Sequence, residues 1–299
     1  MAEPPANLRF RLYRTARLLV WGLRRRLPAA LVPPRLDLGP SFSIGITTYG
    51  PRYEPYFRPL YRSLSRLFPE VNLIVAVNGH GPADEHAAFL QRFEAEICRG
   101  APEHHRFLLH DRAHGLTTLW NGLLAAAPAD RPLLILNDDL RVHAWLRRWA
   151  EAFCWSAVGL DLINSSWSHF ILAPATLARV GAFDPGFPGI GFEDMDYTAR
   201  AGLAGVSIAN HLCGYLRHED DKPQTTSFDG QSGRIWGKYT SANQEHFADQ
   251  WERCEPQEGV YIKQLRHHVR ARRPVTAFAV PPLPLATWPG SPLYPDRPA

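Results

Sequence analysis

Four short apolar runs, separated by segments of helical period, constrain the fold of this chain more than any other feature. They lie at 42–47, 71–77, 107–109 and 133–136, and they are rich in Ile, Val, Leu and Phe. Turn signals close the first two, Thr48-Tyr49-Gly50-Pro51 and Asn78-Gly79. Continuous apolar runs of this length suit strands buried on both faces. Between them, Leu60, Leu64 and Leu67 recur at helical spacing within 56–68, and further helices are predicted over 83–97 and 117–127. Strand and helix alternating at these intervals predict an α/β chain with a mostly parallel sheet. In such sheets ligands bind beyond the carboxyl ends of the strands. Thr47, Thr48, Asn78 and the run Asn137-Asp138-Asp139 all fall there.

The second half is less regular. Helices are expected over 145–156, 176–180, 194–201 and 244–251, and strands over 158–163, 168–172 and 206–208. After Arg273 prolines recur so often, from Pro274 to Pro298, that the tail cannot be a regular helix and is expected to be extended or loosely packed. Four widely spaced cysteines have neither metal-ligand nor redox spacing, and read as buried thiols in a reducing compartment. The formal charge of +4 is concentrated in seven early arginines, Arg9 to Arg26, with no acid among them. That distribution argues against nucleic-acid binding by the whole domain. The segment 8–27 has two readings of equal weight. One is an amphipathic helix on an anionic membrane surface, and the other is a terminal helix docked on its own domain.

Two acidic clusters carry the chemistry. Asn137-Asp138-Asp139 follows a predicted buried strand, where a carboxylate such as Asp139 can hold a hard divalent cation and Asp138 can meet a sugar or ribose. The bland reading is a solvated strand end or a helix cap. Glu193-Asp194 follows the glycine-rich stretch Gly186-Phe187-Pro188-Gly189-Ile190-Gly191. A carboxylate there can take the proton of an attacking hydroxyl. Two acids that merely cap a helix explain much of the same pattern, although not the glycine-rich lead-in. His218, between Tyr215-Leu216 and Glu219-Asp220-Asp221, is a candidate further metal ligand, or a surface histidine among acids.

These segments together resemble the family 2 glycosyltransferases, from about Ser41 to Trp251. Leu136-Asn137-Asp138-Asp139 is similar to that family's Asp-any-Asp motif, and Gly115 to Asn121 to the segment ahead of it. The most specific match is Arg179-Val180-Gly181-Ala182-Phe183-Asp184-Pro185, followed by Gly191-Phe192-Glu193-Asp194-Met195-Asp196-Tyr197, Arg200 and Gly202. Asn243, Phe247 and Trp251 match a closing pattern. The resemblance, with a rhamnosyltransferase-like subgroup as one option, implies a GT-A fold: three layers, α/β/α, around a mostly parallel mixed sheet. It implies inverting, hexosyltransferase-like transfer with Asp194 as general base beside Glu193. It implies Mg²⁺ or Mn²⁺ on Asp139 and His218, and donor contacts from Thr47, Thr48, Tyr49, Asn78, Asn121 and Asp138.

The implied partners are a nucleotide-diphosphate sugar of UDP, dTDP or GDP type and a glycan or lipid-linked acceptor. Trp167, His169 and Phe192 are candidates for lining the acceptor surface, or for core packing. Two departures bear on the donor. Val77 stands where the family has a base-reading aspartate, and Ala113 replaces an asparagine ahead of Gly115, which leaves Asn78, Asp111 or backbone groups to read the base. The expected organisation is a basic segment 1–38, a catalytic domain 39–255 and a C-terminal helix or extension with a proline-rich tail, 256–299. Arg, Ala and Pro content suggests a bacterial source and polysaccharide assembly in the cytoplasm, at the inner face of the membrane. Competing classes are a catalytically silent GT-A binding domain, a peripheral membrane scaffold driven by 8–27 and, more weakly, a nucleotidyltransferase.

Overall fold

The computed structural model describes residues 33–218, 241–253, 269–283 and 292–296, with isolated positions between 16 and 26. Most of 8–27, the acids at 219–221, Cys254, His267 and His268 lie outside the described residues. Strands occur at β1 (Ser43–Tyr49), β2 (Asn72–Asn78), β3 (Arg106–Leu109), β4 (Leu133–Asn137), β5 (Leu140–Val142), β6 (Leu160–Ile163), β7 (Ser166–Leu172), β8 (Ile208–His211), β9 (Leu216–His218), β10 (Trp251–Arg253) and β11 (Val269–Ala271). The longer helices are α1 (Arg58–Leu67), α2 (Ala83–Phe93), α3 (Leu116–Ala126), α4 (Leu146–Glu151), α5 (Pro174–Val180) and α6 (Glu193–Leu203). A further helix covers 241–250.

Seven strands form one mixed sheet in the order β3-β2-β1-β4-β7-β6-β8. All run parallel except β7, which is antiparallel to both β4 and β6. The expected α/β class, with a mostly parallel sheet, is what the structure shows. Both faces are covered because side chains alternate along each strand. Ile44, Ile46, Val75 and Leu136 face a core shared with α1 and α2, whereas Ile74, Ala76 and Ile135 face one shared with α3 and α6. Gly45 lets α3 close on β1, since a Cβ there would stand 2.9 Å from Leu123 Cδ1.

Differences from the sequence reading come from tertiary packing. The helix expected over 145–156 stops at Glu151, because the chain folds back to stack Trp155 on Phe42 with ring centroids 3.7 Å apart. The strand expected at 206–208 is shifted to Ile208–His211, where it pairs with β6. The helix expected over 244–251 ends one residue earlier, and Trp251 opens β10, which pairs with β11. β5 and β9 had no local signal; each is three residues long and they pair only with each other. The described parts of the tail, 274–283 and 292–296, contain no helix. Leu293 adds alongside β3, its N–H bonded to Phe107 O at 2.9 Å while Leu109 N–H donates to Leu293 O at 2.7 Å. Cys98 and Cys213 are buried, but Cys154 is exposed, which corrects the reading of all four as interior thiols. Among the described residues no helix is long and apolar enough to cross a membrane, and the side chains of Leu19, Val20 and Leu23 are exposed.

Candidate active site

The site is built where β1 and β4 end side by side, Thr47 opposite Asn137. Thr48 Oγ1 donates to Asp138 Oδ2 at 2.7 Å. Beyond Tyr49 the chain turns through Gly50–Arg52 into α1, and this turn aims Arg52 back at the acidic pair. Its Nε donates to Asp138 Oδ1 at 2.7 Å, and its second nitrogen meets Asp139 Oδ2 at 3.0 Å. Both aspartates are buried. Burial pushes the Asp138 carboxyl up to about 6 although Arg52 opposes it. Burial acts on Asp139 in the same direction, but His218 and Arg52 beside it outweigh it and hold that carboxyl below the ordinary range. Arg52 itself is raised by the two aspartates against the opposing effect of its burial.

His218 reaches this point through the small β5–β9 ribbon. Leu140 pairs with His218, so the residue before Leu140 and the end of β9 are neighbours. His218 Nδ1 lies 3.5 Å from Asp139 Oδ1. That oxygen is buried and has no hydrogen-bond partner. A buried carboxylate oxygen left over, a histidine nitrogen beside it and a second carboxylate on the same turn fit a divalent cation with oxygen and nitrogen ligands. His169, opposite Leu136 in the sheet, packs its ring 5.7 Å from that of His218.

The second cluster opens α6. Phe192, immediately before it, holds a left-handed backbone (φ 71°), which a bulky residue adopts only when its surroundings impose it. The side chain packs on Phe247. Glu193 is 5% exposed, and its Oε2 has no hydrogen-bond partner. Burial, then the charge of Asp194, pushes its carboxyl well above the ordinary range. Asp194 is only half-buried; its Oδ1 accepts the Met195 N–H at 2.8 Å. The remaining motif residues hold the loop. Asp196 joins Arg200 Nε at 2.8 Å and Trp251 Nε1 at 2.9 Å. Asp184 accepts from Gly186 N–H and Gln250 and is paired with His246. Asn243 bonds Gly189 N–H and Gly191 O.

Asn121 and Asn78 serve as braces. The Asn121 amide bonds both the N–H and the C=O of Phe183, tying α3 to the loop that carries the second cluster. Asn78 does the same for the backbone of His114, at 2.9 and 3.0 Å. Tyr49 packs against His80. Asp111 donates its N–H to Asp296. Trp167 packs on Phe170 and Tyr197, its core-packing reading. Arg52 is the residue that sequence reasoning missed. It lies four positions past Thr48, and nothing local states that the intervening turn points it backward.

No family model and no curated protein matches the chain. Among solved structures it is similar to glucosyl-3-phosphoglycerate synthase from Mycobacterium tuberculosis in complex with Mn²⁺, UDP and glucosyl-3-phosphoglycerate, at 17% identity and TM-score 0.41 over 73% of this chain and 82% of that one. It is also similar to S. aureus TarS 1–349, at 16% identity and TM-score 0.41 over 57% of each chain. A third is the mannosyltransferase PcManGT from Pyrobaculum calidifontis in complex with GDP-Man and Mn²⁺, at 13% identity and TM-score 0.41 over 70% and 69%. These TM-scores lie below 0.5 and assign neither a family nor a substrate to this chain.

Proposed function

We propose that the chain is an inverting glycosyltransferase of GT-A type, moving a sugar from a nucleotide-diphosphate donor to an acceptor hydroxyl. The observation that carries this reading is the buried Oδ1 of Asp139, which accepts no hydrogen bond and faces His218 Nδ1 at 3.5 Å beyond the carboxyl end of β4. Strand order, with the acidic turn at the edge where the sheet changes direction, agrees with it. Asp139 and His218 would hold Mg²⁺ or Mn²⁺, which supplies charge neutralisation on the leaving diphosphate. Thr47, Thr48, Tyr49 and Asp138 form the donor-side wall, and Arg52 contributes a second positive charge beside it. Asp194, half-buried, takes the acceptor proton as the oxygen attacks the anomeric carbon from the opposite face. Glu193, held buried, is more easily kept protonated and can position the acceptor by donating a hydrogen bond.

The test is Asp194→Asn. Loss of a general base costs about 10²- to 10⁴-fold in rate. Transfer should fall within that range while donor affinity, measured by calorimetry with Mn²⁺ present, stays within about twofold of the parent. Turnover retained in this variant would remove Asp194 from the role. Arg52 also favours one alternative, because an acid pair already neutralised by a guanidinium suits a silent sugar-nucleotide binder. Slow hydrolysis of bound donor, dependent on Mn²⁺, separates enzyme from binder.

A further inference from the structure

A second polar cluster lies on the other side of the sheet's carboxyl edge, and the glycosyl-transfer reading does not use it. His110 follows β3, His114 follows four residues later, and Asp296 arrives from the tail segment anchored by Leu293. One ligand atom from each of the three lies within 4.8 Å of the others. Asp296 Oδ1 bonds His114 Nε2 at 2.8 Å, and Oδ2 accepts the Asp111 N–H at 2.9 Å. Arg112, with a side chain 76% exposed, stands 3.7 Å from Oδ1.

His110 is the decisive residue. It is 3% exposed, and neither ring nitrogen has a hydrogen-bond partner, although Nδ1 lies 3.5 Å from Asp296 Oδ2. Leaving a buried polar group unsatisfied costs about 1–3 kcal/mol, and folded proteins rarely tolerate it without a reason. A simple clasp of the tail would need only the bond from His114 to Asp296. It gives no account of a second buried histidine aimed at the same carboxylate.

We propose that His110, His114 and Asp296 form a transition-metal site of the Zn²⁺ class, which pins the C-terminal segment across the ends of β2 and β3. Two imidazoles and one carboxylate suit Zn²⁺, whose bonds to nitrogen and oxygen are about 2.0–2.2 Å, better than they suit Mg²⁺. Three protein ligands leave a fourth position for water. The site is coupled to the donor side through the backbone, because Asn78 at the end of β2 grips both polar groups of His114.

The test uses the full chain, loaded with Zn²⁺ and dialysed against metal-free buffer, with zinc measured by mass spectrometry and Co²⁺ affinity followed by visible absorption. The parent should retain close to one equivalent. Asp296→Asn and His110→Asn should each weaken Co²⁺ binding at least about tenfold, while Asp139→Ala leaves it within about twofold. Binding unchanged in Asp296→Asn, or removed by Asp139→Ala, overturns the proposal. Should His110→Asn fail to fold, Asp296→Asn decides alone, since its side chain lies in a tail segment rather than in the core. Glycosyl transfer plays no part in these readouts, so either reading can fail without the other.

Discussion

At the scale of single residues the site is a balance of buried charges. Arg52 gives Asp138 and Asp139 their counter-charge in the structure. Removing one partner of such a buried set costs roughly 3–5 kcal/mol because the remaining charges lose compensation. Arg52→Ala should therefore melt earlier without metal, and Mn²⁺ should restore part of the loss, as thermal unfolding with and without the ion would show. Glu193 has the opposite problem. Its carboxyl is raised in the folded state, so folding favours its protonated form. The stability it contributes is greatest below the ordinary glutamate value and falls as pH rises toward the raised one. Glu193→Gln should thus be more stable than the parent at pH 9, by about 1–3 kcal/mol, with the gain shrinking toward pH 5. Thermal unfolding across that range checks the sign. Stability that rose with pH only in the parent would contradict it.

At the scale of elements, the helix over 241–250 is the brace of the loop that leads into Glu193 and Asp194. Asn243 is fully buried and bonds the backbone on both sides of Ile190. His246 and Gln250 meet Asp184 at the start of the same loop. Asn243→Ala leaves one N–H and one C=O without their partner, at roughly 1–3 kcal/mol each. The expected outcome is a stability loss of about 2–4 kcal/mol and a raised acceptor KM, with donor affinity unchanged. Steady-state kinetics in both substrates tests this split. Asn243, Phe247 and Trp251 were legible as a pattern in the sequence. Their physical work, which is holding a loop some fifty residues earlier, was not, because hydrogen bonds of that range leave no local periodicity.

At the scale of the whole molecule, a strand order that places the tail beside β3 covers an edge that would otherwise be open. Leu293→Pro removes the N–H that bonds Phe107 O and so loosens the tail. The amide of Leu109, protected by Leu293 O, should then exchange at least about tenfold faster, a change of about 1.4 kcal/mol in local opening, while the amides of β1 stay slow. Hydrogen-exchange mass spectrometry resolves the two regions. Unchanged exchange at Leu109 would mean that the tail does not guard this edge.

The sequence by itself determined the four parallel strands, the helices between them and the two acidic clusters at turns. Apolar period and turn residues are local properties, and they fix which face of each element is buried. Residue types alone also set the chemistry open to Asp139, Asp194 and His218. Only the tertiary structure decided that Arg52 turns back onto Asp138, that β5 and β9 deliver His218 to Asp139, that Asn78 and Asn121 are spent on backbone groups, and that Asp296, carried alongside β3, meets two histidines. These pairings join residues between 36 and 186 positions apart. Their energies come from burial and hydrogen bonding that exist only once the strands have assembled, so no window of sequence contains them.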